Sequence, residues 1–330
     1  MKTPVLFLLF NRPEQTSRVF EAIRAAKPPR LYVAADGPRP GNHIDLDKCS
    51  EVRNIIDCVD WSCEVLTLFR DQNLGCKVSV SSAISWFFAH EEAGIILEDD
   101  CLPSSSWFNF AEEMLELHKD NSQVMCISGT YFRRESKNSQ HSYYYSIYPH
   151  CWGWATWRRA WDCYDENMTA WNSLKNTKWL KEIGNQSWQF QAYWTELFNQ
   201  THQGNIDTWD YQWVYSCWLK KGLTVIPRKN LVRNIGFGPD ATHTRDGNST
   251  VRNLPLLEIE FPLRHPSSIT QDIDTDKWDN RYRYEITTWY YTKHLLKKIP
   301  MLKKAVQLIK AVLNLSSVDR KTLKDDFAGS

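Results

Sequence analysis

The chain has 330 residues, 42% of them apolar, which suffices for one large domain or two modest ones. Its 40 basic and 39 acidic residues leave a formal charge of +1, so no global field points to nucleic acid and any basic function must be local. Nine scattered cysteines without a CxxC pair offer no closely spaced zinc ligands and read as reduced structural thiols of a cytosolic protein.

The opening MKTPVLFLLFNRPE holds six apolar residues between Pro4 and Asn11. That run is too short for the core of a secretory signal or for a bilayer span. It predicts a strand over 5–10, buried on both faces. Val19, Phe20 and Ile23 lie at helical spacing within 14–26, and the run ends before Pro28-Pro29. A second strand over 30–36 stops at Gly37-Pro38, an amphipathic helix covers 45–59, and a third strand covers 63–70. A helix over 75–90 leads into the fourth strand, GIILEDD, over 94–100. Strands alternating with helices of this length predict βαβ units and a mainly parallel sheet. Beyond it, the pattern gives a helix over 107–120, a strand at 124–129, an aromatic segment at 150–166 and a loop entering a helix within 205–222. A strand follows at 223–227, then the Gly-punctuated segment 231–247. In 287–315, lysines alternate with Leu, Ile and Val at helical spacing, which suits either an anionic membrane surface or a packed helix with a lysine-rich face; Pro300 interrupts it.

Two features invite chemistry. The fourth strand ends in three carboxylates, Glu98, Asp99 and Asp100. Like charges at a buried strand end need a cation, a proton or open solvent. In an α/β sheet, ligands bind beyond the carboxyl ends of strands, and Phe10-Asn11-Arg12 and Asp36-Gly37 fall at that same edge. Hard cations such as Mn²⁺ or Mg²⁺ accept one or two carboxylates when a diphosphate supplies the remaining oxygens. The sequence has no Walker or Gly-x-Gly-x-x-Gly cradle that would bind phosphate otherwise. The second feature is aromatic content: 16 Trp, 14 Tyr and 14 Phe suit both a filled core and the faces of sugars.

The ordered motifs FNRP, ADG, LGCKVSVSSAISWFF before LEDD, WGW, TWDYQW and GFGPDATHT resemble those of GT-A glycosyltransferases. The likeness is to the inverting N-acetylglucosaminyltransferases that begin complex N-glycans and to bacterial nucleotide-diphospho-sugar transferases similar to them. It spans roughly residues 3–250. It implies an α/β fold of GT-A type, a mixed and mainly parallel sheet flanked by helices. The nucleotide-binding half would be 1–103 and the acceptor half 104–250, with 251–330 a helical C-terminal extension. By this resemblance Arg12 and Asp36 hold the nucleotide, Asp99 faces the ribose, Glu98 the donor sugar, and Asp100 binds Mn²⁺ or Mg²⁺. Lys77 matches a lysine of the helix before the triplet, whereas Ser81 replaces the histidine expected a turn later. His243 matches a loop histidine that would reach the metal or diphosphate; a surface histidine is the other reading.

Asp210 is implied as the catalytic base, taking the acceptor hydroxyl's proton as the new C–O bond forms. An N-cap is the alternative for Asp210, and Asp207 is a competing base. Trp152, Trp154 and Trp209 would contact the acceptor sugar; for Trp152 and Trp154, packing beneath the acceptor loop is the other reading. The expectation is a metal-dependent inverting glycosyltransferase using a nucleotide-diphosphate sugar, UDP-sugar first, and acting on a surface glycan or lipid-linked saccharide. It would be cytoplasmic and peripheral on the inner membrane face through 287–315. Two other classes stay open, a sugar nucleotidyltransferase and a non-catalytic carbohydrate-binding protein. FLLFNRPEQTS lacks the glycines that the first of these needs after strand one.

Overall fold

The computed structural model describes residues 1–133, 140–237 and 254–288. His243 and most of 287–315 lie outside those residues. The first hundred residues form β1 (Val5–Leu9), α1 (Pro13–Ala26), β2 (Arg30–Ala35), α2 (His43–Arg53), β3 (Glu64–Phe69), α3 (Gly75–His90) and β4 (Ala93–Glu98). β1 is buried at all five positions, as its unbroken apolar run requires. Pro13 opens α1 and leaves Arg12 outside the helix, because a first-turn proline loses no helical hydrogen bond. The helix expected over 45–59 divides: α2 ends at Arg53 and a 3-10 turn covers Asn54–Cys58.

β5 (Cys101–Pro103), α4 (Ser105–Leu117), β6 (Val124–Ser128), β7 (Tyr143–Ser146) and β8 (Trp154–Trp157) follow. Three short helices come next, α5 (Arg158–Trp161), α6 (Trp171–Leu174) and α7 (Trp179–Ile183), then α8 (Trp188–His202) and α9 (Asp210–Leu219). β9 (Leu223–Pro227), β10 (Val232–Asn234) and α10 (Ile273–Tyr282) complete the described chain. Eight strands make one sheet in the order β3-β2-β1-β4-β8-β6-β9-β7, and β10 pairs with β5 in a two-stranded ribbon. β1 is parallel to both β2 and β4, β2 to β3, and β6 to β9; β8 runs antiparallel between β4 and β6. The fold is thus mixed α/β with a mainly parallel sheet flanked by helices.

From β1 the chain winds outward to β2 and β3, then returns to lay β4 on the other side of β1. The winding reverses between β1 and β4, and the crevice beyond their carboxyl ends is where open α/β sheets take ligands. Leu8 is level with Glu98, so Phe10-Asn11-Arg12 and Asp99-Asp100 leave the sheet side by side.

The described part of the expected C-terminal extension packs on the β7 edge. Asp272 donates its N–H to the Tyr145 carbonyl at 2.7 Å. Asp276 is buried and accepts from the Ser146 hydroxyl (2.5 Å), Gln271 (2.8 Å) and the Ile147 N–H (3.3 Å). Burial pushes the Asp276 carboxyl up to about 7, against the pull of those three donors. A carboxyl raised on folding binds its proton more tightly in the folded chain, so its contribution to stability is lost as pH rises through the window between its unfolded and folded values. Relative to wild type, Asp276→Asn therefore gains stability as pH rises from about 4 to about 8, by up to a few kcal/mol. Urea unfolding of both proteins across that range measures it; a constant difference would contradict the assignment. Among the described residues no helix is long and apolar enough to cross a membrane.

Candidate functional site

At the reversal of the sheet, Arg12 reaches across from the end of β1 to the triplet. Its Nη1 lies 2.6 Å from Asp100 Oδ2 and 3.3 Å from Asp99 Oδ1. Asp99 Oδ2 also accepts the Phe10 N–H at 3.2 Å. Burial works against the charge on Arg12, but the neighbouring carboxylates outweigh it and hold the guanidinium firmly protonated. On the acid side, burial is the leading cause again. It pushes Asp99 up to about 7, with the Asp100 charge adding to it and Arg12 opposing. Glu98 is driven well above the ordinary range by burial, then by Asp100, Asp99 and Asp210. Asp210, from the start of α9, is thus within electrostatic reach of the triplet. One guanidinium does not neutralise four carboxyl groups, so the crevice favours a further cation or a retained proton.

Asp100 is held from a second side that the sequence reading missed. Asn234 of β10 donates to Asp100 Oδ1 at 3.2 Å, and the Ile235 N–H donates to the Asp100 carbonyl at 2.7 Å. Gly236 follows so closely that a Cβ there would overlap the Asp100 carboxylate. The three-residue pairing of β5 with β10 sets this approach. Strands so short carry no usable periodicity; the signal available was the glycine in NIGFG.

The other expected nucleotide contacts divide. Asp36 sits at the end of β2 with its oxygens already engaged: Oδ1 accepts the N–H groups of Gly37 and Leu74, both at 2.9 Å, and Oδ2 accepts Asn73 at 3.0 Å. It is the anchor of the loop between β3 and α3, and burial raises its proton affinity despite those donors. Lys77 lies in the first turn of α3 and pairs with Glu166 at 3.5 Å, not with the triplet. Ser81, which replaces the expected histidine, is buried and donates back to the Lys77 carbonyl at 2.7 Å.

Asp207 and Asp210, competitors for the role of base, have different partners. Asp207 accepts the N–H groups of Cys76 (3.0 Å) and Lys77 (3.1 Å), the orphan donors at the start of α3. Gly75 has φ +81° there, and a Cβ would come within 2.9 Å of the Asp207 carboxylate, so glycine is needed twice over. Asp207 is therefore a cap supplied from 130 residues away, joining the two halves of the chain. Asp207→Ala is expected to cost about 1 kcal/mol of stability, read from the urea midpoint. If instead turnover collapsed at unchanged stability, Asp207 would be more than a cap. Asp210 is not the N-cap of α9, a position that Trp209 holds; it lies in the first turn. Its Oδ1 accepts the Thr208 hydroxyl and the Tyr211 N–H, the latter at 2.9 Å, and the side chain keeps part of its surface.

The tryptophans require a correction. Trp154 is 0% and Trp209 3% exposed, and the two stack with centroids 5.5 Å apart against Trp213 and Trp161. A buried indole hides about 150–250 Å². At about 25 cal/mol/Å² that is roughly 4–6 kcal/mol each, more than a sugar contact would return. Trp154 and Trp209 are core beneath the Asp210 segment and cannot offer a face to a sugar. Trp152 stays half-buried, edge-on to Phe132 (5.4 Å) and Phe237 (5.8 Å).

Among the described residues no three His, Cys, Asp or Glu side chains converge as a ready metal cage. The donor set is nonetheless hard oxygen with excess negative charge. It fits a cation bound by one or two carboxylates and completed by phosphate oxygens and water.

No protein-family model matches the chain, and no curated protein matches it in sequence. Among solved structures it is similar to HddC from Yersinia pseudotuberculosis, at 11% identity and a TM-score of 0.26, over 43% of this chain and 59% of that one. It is also similar to UDP-glucose pyrophosphorylase complexed with UDP-glucose, at 14% identity and a TM-score of 0.24, over 45% of this chain and 63% of that one. The chain thus spans about three fifths of the length of both proteins.

Proposed function

We propose that this chain is a metal-assisted inverting glycosyltransferase that takes its sugar from a nucleoside-diphosphate donor. The observation that carries the reading is the meeting of Arg12 with Asp99 and Asp100 at the reversal point of the sheet, with Asp210 within electrostatic reach of Glu98. Asp100, held by Asn234, would bind the divalent cation. When bound, that cation supplies the positive charge that neutralises the departing diphosphate. Arg12 adds a second positive charge beside the diphosphate, and its bond to Asp100 keeps it in place beforehand. Asp99 and Glu98 orient ribose and sugar. Asp210 takes the proton of the acceptor hydroxyl while that oxygen bonds to the anomeric carbon and the bond to the diphosphate breaks, its electron pair leaving with the phosphate.

The acceptor is a hydroxyl of a saccharide or lipid-linked saccharide. UDP with Mn²⁺ is the first pair to test by calorimetry. Binding with the metal, weakened about tenfold or more by chelation, is expected. Simple sugars binding without nucleotide or metal, while UDP does not bind, would instead describe a lectin.

A further inference from the structure

Beside the catalytic crevice lies a cationic, aromatic-walled patch whose chemistry donor binding does not use. Arg283, one residue beyond α10, lays its guanidinium over Phe132 (4.5 Å), Trp152 (5.4 Å) and Tyr284 (5.7 Å). Among the described residues no carboxylate lies within 4 Å of that guanidinium, and its Nε is buried without a hydrogen-bond partner. Asp279, one turn earlier on α10, is buried against His150 at 3.6 Å and makes no ion pair with Arg283. A planar cation backed by rings, with no carboxylate in contact among the described residues, is prepared for a ligand's anion.

Its position joins it to the site. Trp152 touches Phe237, and Phe237 follows Gly236, the residue pressed on the Asp100 carboxylate. On the other side Tyr211 follows Asp210. Its phenol is pushed up by burial first and by Asp210, with Arg283 acting in the opposite sense, so that ring feels both groups. Arg283 is therefore linked to the crevice from two sides, through Trp152 and Phe237 to Gly236 and through Tyr211 to Asp210.

We propose that Arg283, with Trp152, forms an acceptor subsite that selects a saccharide carrying an anionic substituent, a carboxylate or a phosphate, next to the accepting sugar. The inference rests on the transferase reading for the words donor and acceptor, but the binding itself needs neither nucleotide nor metal. Arg283 pairs with the anion through its fork, and Trp152 covers an apolar sugar face. A neutral saccharide would leave the fork unanswered.

The test is a saturation-transfer NMR titration of the full chain, without nucleotide, using glucuronate, glucose 6-phosphate, inorganic phosphate and glucose. Glucuronate or glucose 6-phosphate is expected to bind about tenfold or more tightly than glucose. Arg283→Gln should bring the acidic sugars to the level of glucose, and Arg283→Lys should keep part of the preference. Preference for one acid over the other, with inorganic phosphate competing only in the phosphate case, tells which anion is recognised. Equal binding of glucose and both acids, or an unchanged preference in Arg283→Gln, would overturn the proposal. A cooperative thermal unfolding transition like that of the wild type confirms that Arg283→Gln is folded. A chain that prefers acidic sugars but never binds UDP would contradict the transferase reading and leave this subsite standing.

Discussion

Asp100→Asn should lower donor turnover about a thousandfold or more while leaving the protein folded. The substitution keeps the shape and the Oδ1 atom that Asn234 contacts at 3.2 Å, but removes the charge that would hold a cation. It also removes the charge-assisted partner of Arg12 at 2.6 Å, so Arg12 is left with Asp99 alone. Stability should not fall in step with activity, because the same charge contributes to the repulsion that drives Glu98 well above the ordinary carboxyl range. Thermal unfolding and turnover measured on one preparation separate the two effects. Nearly full activity in this variant would mean that the metal and diphosphate sit elsewhere.

Asp210→Asn is expected to lower kcat about 10²–10⁴-fold, the usual worth of a positioned general base, with donor binding kept. The amide retains an oxygen for the Thr208 hydroxyl and the Tyr211 N–H, so the start of α9 should hold its conformation. The contrast with Asp207 is informative. Both are aspartates before or at the start of α9, yet the more exposed Asp207 spends both oxygens on α3, whereas Asp210 bonds within its own segment and acts on Glu98. Loss of kcat in Asp210→Asn with unchanged metal-dependent UDP binding would assign it to the transfer step. Loss of both together would assign it to donor binding.

The sheet was legible where local pattern and burial agree. VLFLL is apolar throughout because β1 is covered on both faces, and the strand-helix alternation through β4 follows from the same rule. The shared edge of the triplet, Phe10-Asn11-Arg12 and Asp36-Gly37 followed as well, because it depends only on the ends of parallel strands; the strand order that puts the triplet at the reversal did not. What could not be read arises from long-range contact. Asn234 and Gly236 grip Asp100 across 134 or more residues of chain, through strands too short for any period. Asp207 caps a helix in the other half of the molecule, a contact that nothing in its own sequence neighbourhood announces, so in sequence it is a competing base beside Asp210. Trp154 and Trp209 share their residue type with Trp152, and only packing shows that two are core and one is half-buried. The segment holding Arg283 offers no clear apolar period, because α10 has ten residues and a charged sequence; its order comes from Asp272 and Asp276 bonded to the β7 edge.

Which bond of the donor breaks separates sugar transfer from nucleotidyl transfer. Incubation with Mn²⁺ and a panel of nucleotide sugars, followed by ³¹P NMR of the products, reads this directly. The transferase account predicts that the nucleoside diphosphate is released, by transfer or slow hydrolysis, and that Asp100→Asn prevents it. Cleavage within the diphosphate, giving sugar 1-phosphate with nucleoside triphosphate when pyrophosphate is added, would contradict it and make the chain a nucleotidyltransferase.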